Sequence, residues 1–79
     1  MPFTVYILRT SANTLYIGQT NNLEKRLKQH ETKRGAKYLR MFDSFSLVYQ
    51  EEHKTLSEAL KREIELKKLT KKDKEKLLR

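Results

Sequence analysis

Phe3-Thr4-Val5-Tyr6-Ile7-Leu8, a polar break over Arg9-Thr10-Ser11-Ala12-Asn13, then Thr14-Leu15-Tyr16-Ile17-Gly18: this stretch decides how the chain folds. Both runs alternate with the two-residue period of a strand. Phe3, Val5 and Ile7 share one face with Leu15 and Ile17, while Tyr6 and Tyr16 point the other way. The break is polar and turn-prone, and reads as a five-residue hairpin loop. If Leu8 pairs with Thr14, Tyr6 lies directly across from Tyr16. A slip of one residue would separate the rings and expose the apolar face, so the register is well specified.

Working outward, Asn21 or Asn22 caps a helix, with Glu24 three residues after Asn21 closing a capping box. That helix runs from about Leu23 to Lys33, and Gly35 is a natural left-handed terminator. Tyr38 to Asp43 reads as a loop or irregular turn. Ser44 to Gln50 alternates again and predicts a third strand. Thr55-Leu56-Ser57-Glu58 is a second capping box, opening a helix from Leu56 to about Leu69. Thr70 caps a short terminal helix rich in lysine. The element order is ββαβαα, an α+β domain whose three-stranded antiparallel sheet is flanked by helices. No repeat, linker or low-complexity tract divides residues 1–79, so a single domain is expected.

At 79 residues the chain is near the lower size at which an apolar core suffices without staples. It has no cysteine, which excludes disulfides and thiolate metal sites and fits a reducing compartment. Its apolar runs are too short to span a bilayer, and the first residues lack the basic-then-apolar order of a signal peptide. No membrane partner and a cytoplasmic location are the expectation. With 18 Lys and Arg against 10 Asp and Glu, the formal net charge is +8. So small and basic a chain attracts polyanions, and nucleic acid is the expected partner.

Six positions stand out for their chemistry. On a helical wheel Leu56, Ala59, Leu60 and Ile64 form one stripe, and Glu63 falls inside it. An unpaired buried carboxylate costs several kcal/mol. Two readings follow: a salt bridge, with Arg26 as a candidate partner, or a metal ligand at the lip of a cleft. Arg26 and His30 are four residues apart and share one helix face with Leu23 and Leu27. An arginine aimed at the sheet can grip a phosphate in bidentate fashion. His30 is open to reading as a base, a phosphate donor or a half-buried hydrogen-bonded ring. Tyr6 and Tyr16 alone read as a stabilising cross-strand pair. A phenol near its ordinary pKa of about 10 is a poor base, although a divalent cation and an arginine nearby would lower it. Gly18 is expected where a side chain would obstruct the substrate backbone or a helix.

These residues resemble those of the GIY-YIG nuclease family. Thr4-Val5-Tyr6 stands where the first motif ends in tyrosine, and Tyr16-Ile17-Gly18 matches the second in full. Thr20, Leu23, Arg26, Leu27, His30, Gly35-Ala36, Leu47-Val48-Tyr49, Ala59 and Arg62-Glu63 follow at the family's spacing. The likeness covers nearly the whole chain and is greatest to small stand-alone bacterial members of the UPF0213 type. It implies a divalent metal, Mg2+ or Mn2+, held by Glu63, with Arg26 steadying the scissile phosphate. Tyr6 would help activate the attacking water, Tyr16 would position water or phosphate, and His30 would support them. Gln19 stands where repair-type members carry a catalytic lysine.

The resemblance therefore implies a metal-dependent endonuclease acting on DNA, structure-selective or weakly specific, in DNA repair or recombination. Nothing in the chain resembles a base-reading helix-turn-helix or zinc finger, so substrate shape or a protein partner would supply specificity. The alternative is a nucleic-acid-binding module of the same fold with little or no turnover, driven by the C-terminal lysines. A scaffold or interaction protein is a third reading, and it leaves Glu63 unexplained.

Overall fold

The alternating N-terminal run forms the middle of the sheet. In a computed structural model describing residues 2–32 and 37–78, strand β1 (Phe3–Thr10) lies between β2 (Leu15–Thr20) and β3 (Phe45–His53), antiparallel to both. The order β2-β1-β3 leaves β2 at a free edge. Helix α1 (Leu23–Glu31) follows β2, and helices α2 (Leu56–Lys68) and α3 (Lys71–Leu77) follow β3. The ββαβαα, α+β expectation is met. In place of the loop or irregular turn expected over Tyr38 to Asp43, Lys37–Met41 forms a 3₁₀ helix that buries Leu39. β3 runs three residues further than expected, to His53, and steps past Val48 in its register with β1.

β1 is buried on both sides, with Val5, Tyr6, Ile7 and Leu8 each at most 1% exposed. Val5, Ile7 and Ile17 pack against Ala59 and Leu66 of α2, with Leu77 and Leu78 at the margin. On the opposite face Tyr6 and Leu8 pack with Leu39, Tyr16, Leu23, Leu27 and Phe45. The alternation thus sorts side chains between two helical layers rather than between core and water.

The predicted register is wrong by two residues. Leu8 pairs with Tyr16 and Tyr6 with Gly18, because β1 continues to Thr10 and the turn is tighter than the expected five-residue loop. Thr10 N–H bonds to Thr14 O at 2.9 Å, Asn13 N–H bonds to Thr10 O at 2.8 Å, and Asn13 takes a left-handed φ of 63°. Asparagine tolerates that conformation better than most residues. A two-residue shift preserves every face assignment, so the tyrosines remain on one side.

At the start of α1, Asn22 is the cap, its Oδ1 accepting from Lys25 N–H at 3.1 Å. Glu24 is then only the second helical residue, so the expected box with Asn21 does not form. α1 ends at Glu31 with Thr32 as its cap; the Lys33 limit and the Gly35 terminator lie outside the described residues. The Thr55–Glu58 box of α2 is present in both directions, and Thr70 caps α3.

The stripe on α2 is rotated from the predicted one. Ala59 and Leu66 are buried, whereas Leu56, Leu60 and Ile64 are 43%, 40% and 55% exposed. The small Ala59 lets the helix approach the sheet closely, and Leu66, two turns on, fills the space beside it. Arg62 then reaches β3, its Nε donating to Glu51 Oε1 at 2.8 Å. α3 is fastened to β1 by a bidentate contact from Arg9 to Glu75, at 2.6 and 2.9 Å. Among the described residues no helix is long and apolar enough to cross a membrane.

Candidate active site

Tyr6 and Tyr16 are diagonal neighbours on one face of the β1–β2 pair, not directly opposed, with ring centroids 6.4 Å apart. α1 lays His30 over them. The Tyr6 hydroxyl is 3.0 Å from His30 Nε2, and the imidazole meets Tyr16 edge-on at 5.7 Å. Phe45 closes the other side of the imidazole at 6.0 Å. His30 is 3% exposed, and its Nδ1 has no partner among the described residues.

Gly18 is explained by this cluster. A Cβ there would sit 2.6 Å from Tyr6 Oη and 2.7 Å from Cζ. The expectation of a substrate or helix against Gly18 gives way to the Tyr6 ring itself, which lies over the glycine because the two residues are register partners.

One turn before His30, Arg26 lies beside both phenols. Tyr6 first and Tyr16 after it raise the arginine pKa. The contact of close hydrogen-bond geometry from its guanidinium runs to Gln29 Oε1, at 3.0 Å. Burial and the nearby Arg26 both lower the His30 pKa from 6.5. Tyr6 moves in the opposite direction from that expected beside an arginine. Burial pushes it up to about 12, outweighing the Arg26 hydrogen bond and charge that pull it down. Desolvation wins because almost no part of the ring reaches water. At neutral pH Tyr6 is therefore a neutral phenol and His30 a neutral imidazole.

Glu63 reaches this neighbourhood from the opposite layer. Arg62 faces β3, so Glu63, the next residue round the helix, faces β2. Its side chain is 18% exposed, and its charge is felt at Tyr6, where it contributes to the raised pKa. Its ionic partner is Lys67 at 3.3 Å, one turn on, and not Arg26. Lys67 is 57% exposed, and an ion pair of that kind contributes roughly 0–1 kcal/mol.

Among the described residues no three His, Cys, Asp or Glu side chains gather into a metal cage. A single half-buried carboxylate fits a different mode. Mg2+ keeps most of its waters and takes one or two carboxylates plus phosphate oxygens. Glu63 and its surroundings fit such a hydrated ion.

Two hollows flank these groups along the β2 edge. The larger, about 470 Å³, is walled by Arg26 and Gln29 of α1, Gln19 of β2, Phe3 of β1 and Leu56 of α2. The smaller, about 250 Å³, lies between Tyr16, Tyr38, Lys67 and Lys74. Tyr38 stacks on Tyr16 at 6.2 Å and 16°, and donates to Thr14 Oγ1 at 2.8 Å. Sequence reading passed over three of these neighbours. Gln29 and Lys67 were open to recognition, lying three and four residues after Arg26 and Glu63. Tyr38, alone in an irregular segment, gave no periodic signal.

Residues 2–76 match the family described as the GIY-YIG catalytic domain. The UPF0213 protein OB0043 of Oceanobacillus iheyensis is 46% identical over 74 residues, covering 94% of this chain and 86% of that one. The UPF0213 protein RBAM_000440 of Bacillus velezensis is 46% identical over 70 residues, covering 89% of this chain and 71% of that one. The solution NMR structure of the UPF0213 protein BH0048 from Bacillus halodurans superposes with a TM-score of 0.65 at 36% identity. It covers 99% of this chain and 83% of its own.

Proposed function

Since this chain belongs to the GIY-YIG catalytic domain family, a nuclease superfamily, we propose that it is a divalent-metal-dependent endonuclease hydrolysing DNA phosphodiester bonds. In this reading it is structure-selective or weakly specific, works in DNA repair or recombination, and acts in the cytoplasm. A protein partner or the shape of the substrate supplies its specificity. The observation that carries the proposal is the Tyr6–His30 hydrogen bond, with Arg26 one turn away and Glu63 turned toward the same edge of the sheet.

A neutral imidazole whose Nε2 accepts from Tyr6 is a base already connected to a donor. With the imidazole proton on Nδ1, the phenol oxygen takes a proton from the attacking water as it hands its own to Nε2. Tyr6 thus relays a proton without becoming a phenolate, which its pKa of about 12 disfavours. Arg26, permanently charged, grips the oxygens of the scissile phosphate and offsets the charge that grows there. Tyr16, beside the imidazole, orients the water or the phosphate through its hydroxyl. Glu63 holds Mg2+ or Mn2+, which when bound supplies further positive charge at the phosphate. The net charge of +8 draws the polyanion to the protein.

A nicking assay on labelled duplex, flap, junction and single-stranded DNA with magnesium or manganese tests the proposal. Glu63→Gln and Arg26→Ala should each lower cleavage by roughly 10²-fold or more while the thermal melt stays unchanged. Chelation should abolish it. Salt-sensitive binding of every substrate with no cleavage of any would replace this reading by that of a binding module.

A further inference from the structure

We propose that the 470 Å³ cleft beside Arg26 is a subsite for one unpaired nucleobase, carried by the nucleotide whose phosphate Arg26 holds. The role given to Arg26 rests on the nuclease reading; the chemistry of the cleft does not. Its volume lies within the roughly 300–1,000 Å³ of ordinary ligand sites.

The walls are of three kinds. Phe3 and Leu56 are apolar, and Leu56 is 43% exposed, an apolar surface that water covers poorly and the flat face of a base covers well. Lys25 and Arg26 supply positive charge suited to the phosphates on either side of that base. The remainder is rich in carboxamides. Asn22 is committed to capping α1, and Gln29 Oε1 accepts from Arg26. Gln19 and Asn21 are left, and among the described residues neither amide is engaged by another side chain. A carboxamide carries a donor and an acceptor side by side, the pattern that matches the edge of a base. No lining residue is acidic, so nothing in the cleft repels a polyanion.

A base stacked and paired in a duplex offers neither of its faces to Phe3 and Leu56. The occupant is therefore a base turned out of its stack, as at a flap, a junction or a free single strand.

The test is the affinity of the full chain, in EDTA, for fluorescein-labelled 12-nucleotide strands of dT, of dA, and of abasic sugar-phosphate with the same charge. Fluorescence anisotropy at fixed salt should show base-bearing strands bound about tenfold more tightly than the abasic strand. The Gln19→Ala/Asn21→Ala variant should narrow that ratio to about threefold or less while binding the abasic strand as the wild type does. A Leu56→Ser variant should narrow it too. Equal affinity for all strands overturns the proposal, as does an advantage that survives both variants, which would place the bases elsewhere, such as on Tyr38. Cleavage of the same strands with magnesium is scored separately. Cleavage without base-dependent affinity keeps the nuclease and removes the subsite. Base-dependent affinity lost in the variants, without cleavage, keeps the subsite and removes the nuclease.

Discussion

Replacing Gly18 by alanine puts a methyl carbon 2.6 Å from Tyr6 Oη, 2.7 Å from Cζ and 3.2 Å from Cε1. The backbone does not demand glycine, since no described glycine has a positive φ. The whole conflict is with the phenol. Tyr6 cannot retreat freely: it is 1% exposed, its hydroxyl is tied to His30 at 3.0 Å, and Leu8 and Leu39 pack about it. Relieving the contact requires the ring tip to move by most of an ångström, enough to break that hydrogen bond. Overpacking of this kind costs about 1–3 kcal/mol. Alanine offsets roughly 0.5–1 kcal/mol of it by restricting the unfolded chain. The net destabilisation is roughly 0–2.5 kcal/mol, which for a chain of this length lowers the melting temperature by up to about 20 °C. Cleavage should fall further than stability, because the proton relay is displaced even in molecules that stay folded. A double-mutant cycle isolates the cause. In a Tyr6→Leu background the shorter side chain leaves room for the methyl, and Gly18→Ala should become neutral or mildly stabilising, a coupling of about 1 kcal/mol or more. Thermal melts of the four proteins by circular dichroism decide it. An equal effect of Gly18→Ala in both backgrounds refutes the account of Gly18 as the floor beneath Tyr6.

The ionisation of His30 gives a second expectation. The folded imidazole binds a proton less readily than its ordinary pKa of 6.5, so acid favours the unfolded chain. The stability difference is fully present above 6.5 and is lost as pH falls from there through the folded value. Urea midpoints between about pH 5 and pH 7 should show this slope in the wild type and a flatter one in His30→Gln. In cleavage, kcat/KM should carry an acid limb below 6.5 that the same variant removes. At the start of α2, Thr55 Oγ1 accepts from Glu58 N–H and Glu58 Oε1 accepts from Thr55 N–H, both at 3.2 Å. Thr55→Ala should cost about 1 kcal/mol, read as a lower melting temperature and faster amide exchange in the first turn of α2.

The β strands were legible because their period is two, and an error of two residues in register changes no face. What escaped was the turn: the left-handed Asn13 and the Thr10–Thr14 bonds fix where β2 begins, and neither is visible in an alternation of apolar and polar residues. The error had a consequence at the site. It paired Tyr6 with Tyr16, hid the true partner Gly18, and so assigned the glycine to a substrate or a helix rather than to the phenol above it. The Tyr6 pKa was illegible for a related reason. A neighbouring arginine can be read from helical spacing, but the depth of burial that overrides it depends on how α1 and Leu39 cover the ring.

The helix carrying Glu63 shows how a partly wrong pattern can still place an acid near the right neighbours. Grouping Leu56, Ala59, Leu60 and Ile64 into one stripe placed Glu63 inside the buried face. The sheet instead selects by closeness of approach, so Ala59 and Leu66 define the inner face and the larger Leu56, Leu60 and Ile64 stay in contact with water. Glu63 then lies about 40° round the helix from Ala59 and about 60° from Leu66. That displacement changes its chemistry. At the centre of the stripe a carboxylate would be sealed from solvent and driven toward neutrality or a buried ion pair. At the rim, 18% exposed and lightly held by Lys67, it stays in reach of the solvent from which, in the proposed reading, a hydrated cation would arrive with a phosphate. The rotation that the apolar pattern failed to predict suits the metal-holding role proposed for Glu63, and it also leaves Leu56 on the wall of the cleft beside Arg26.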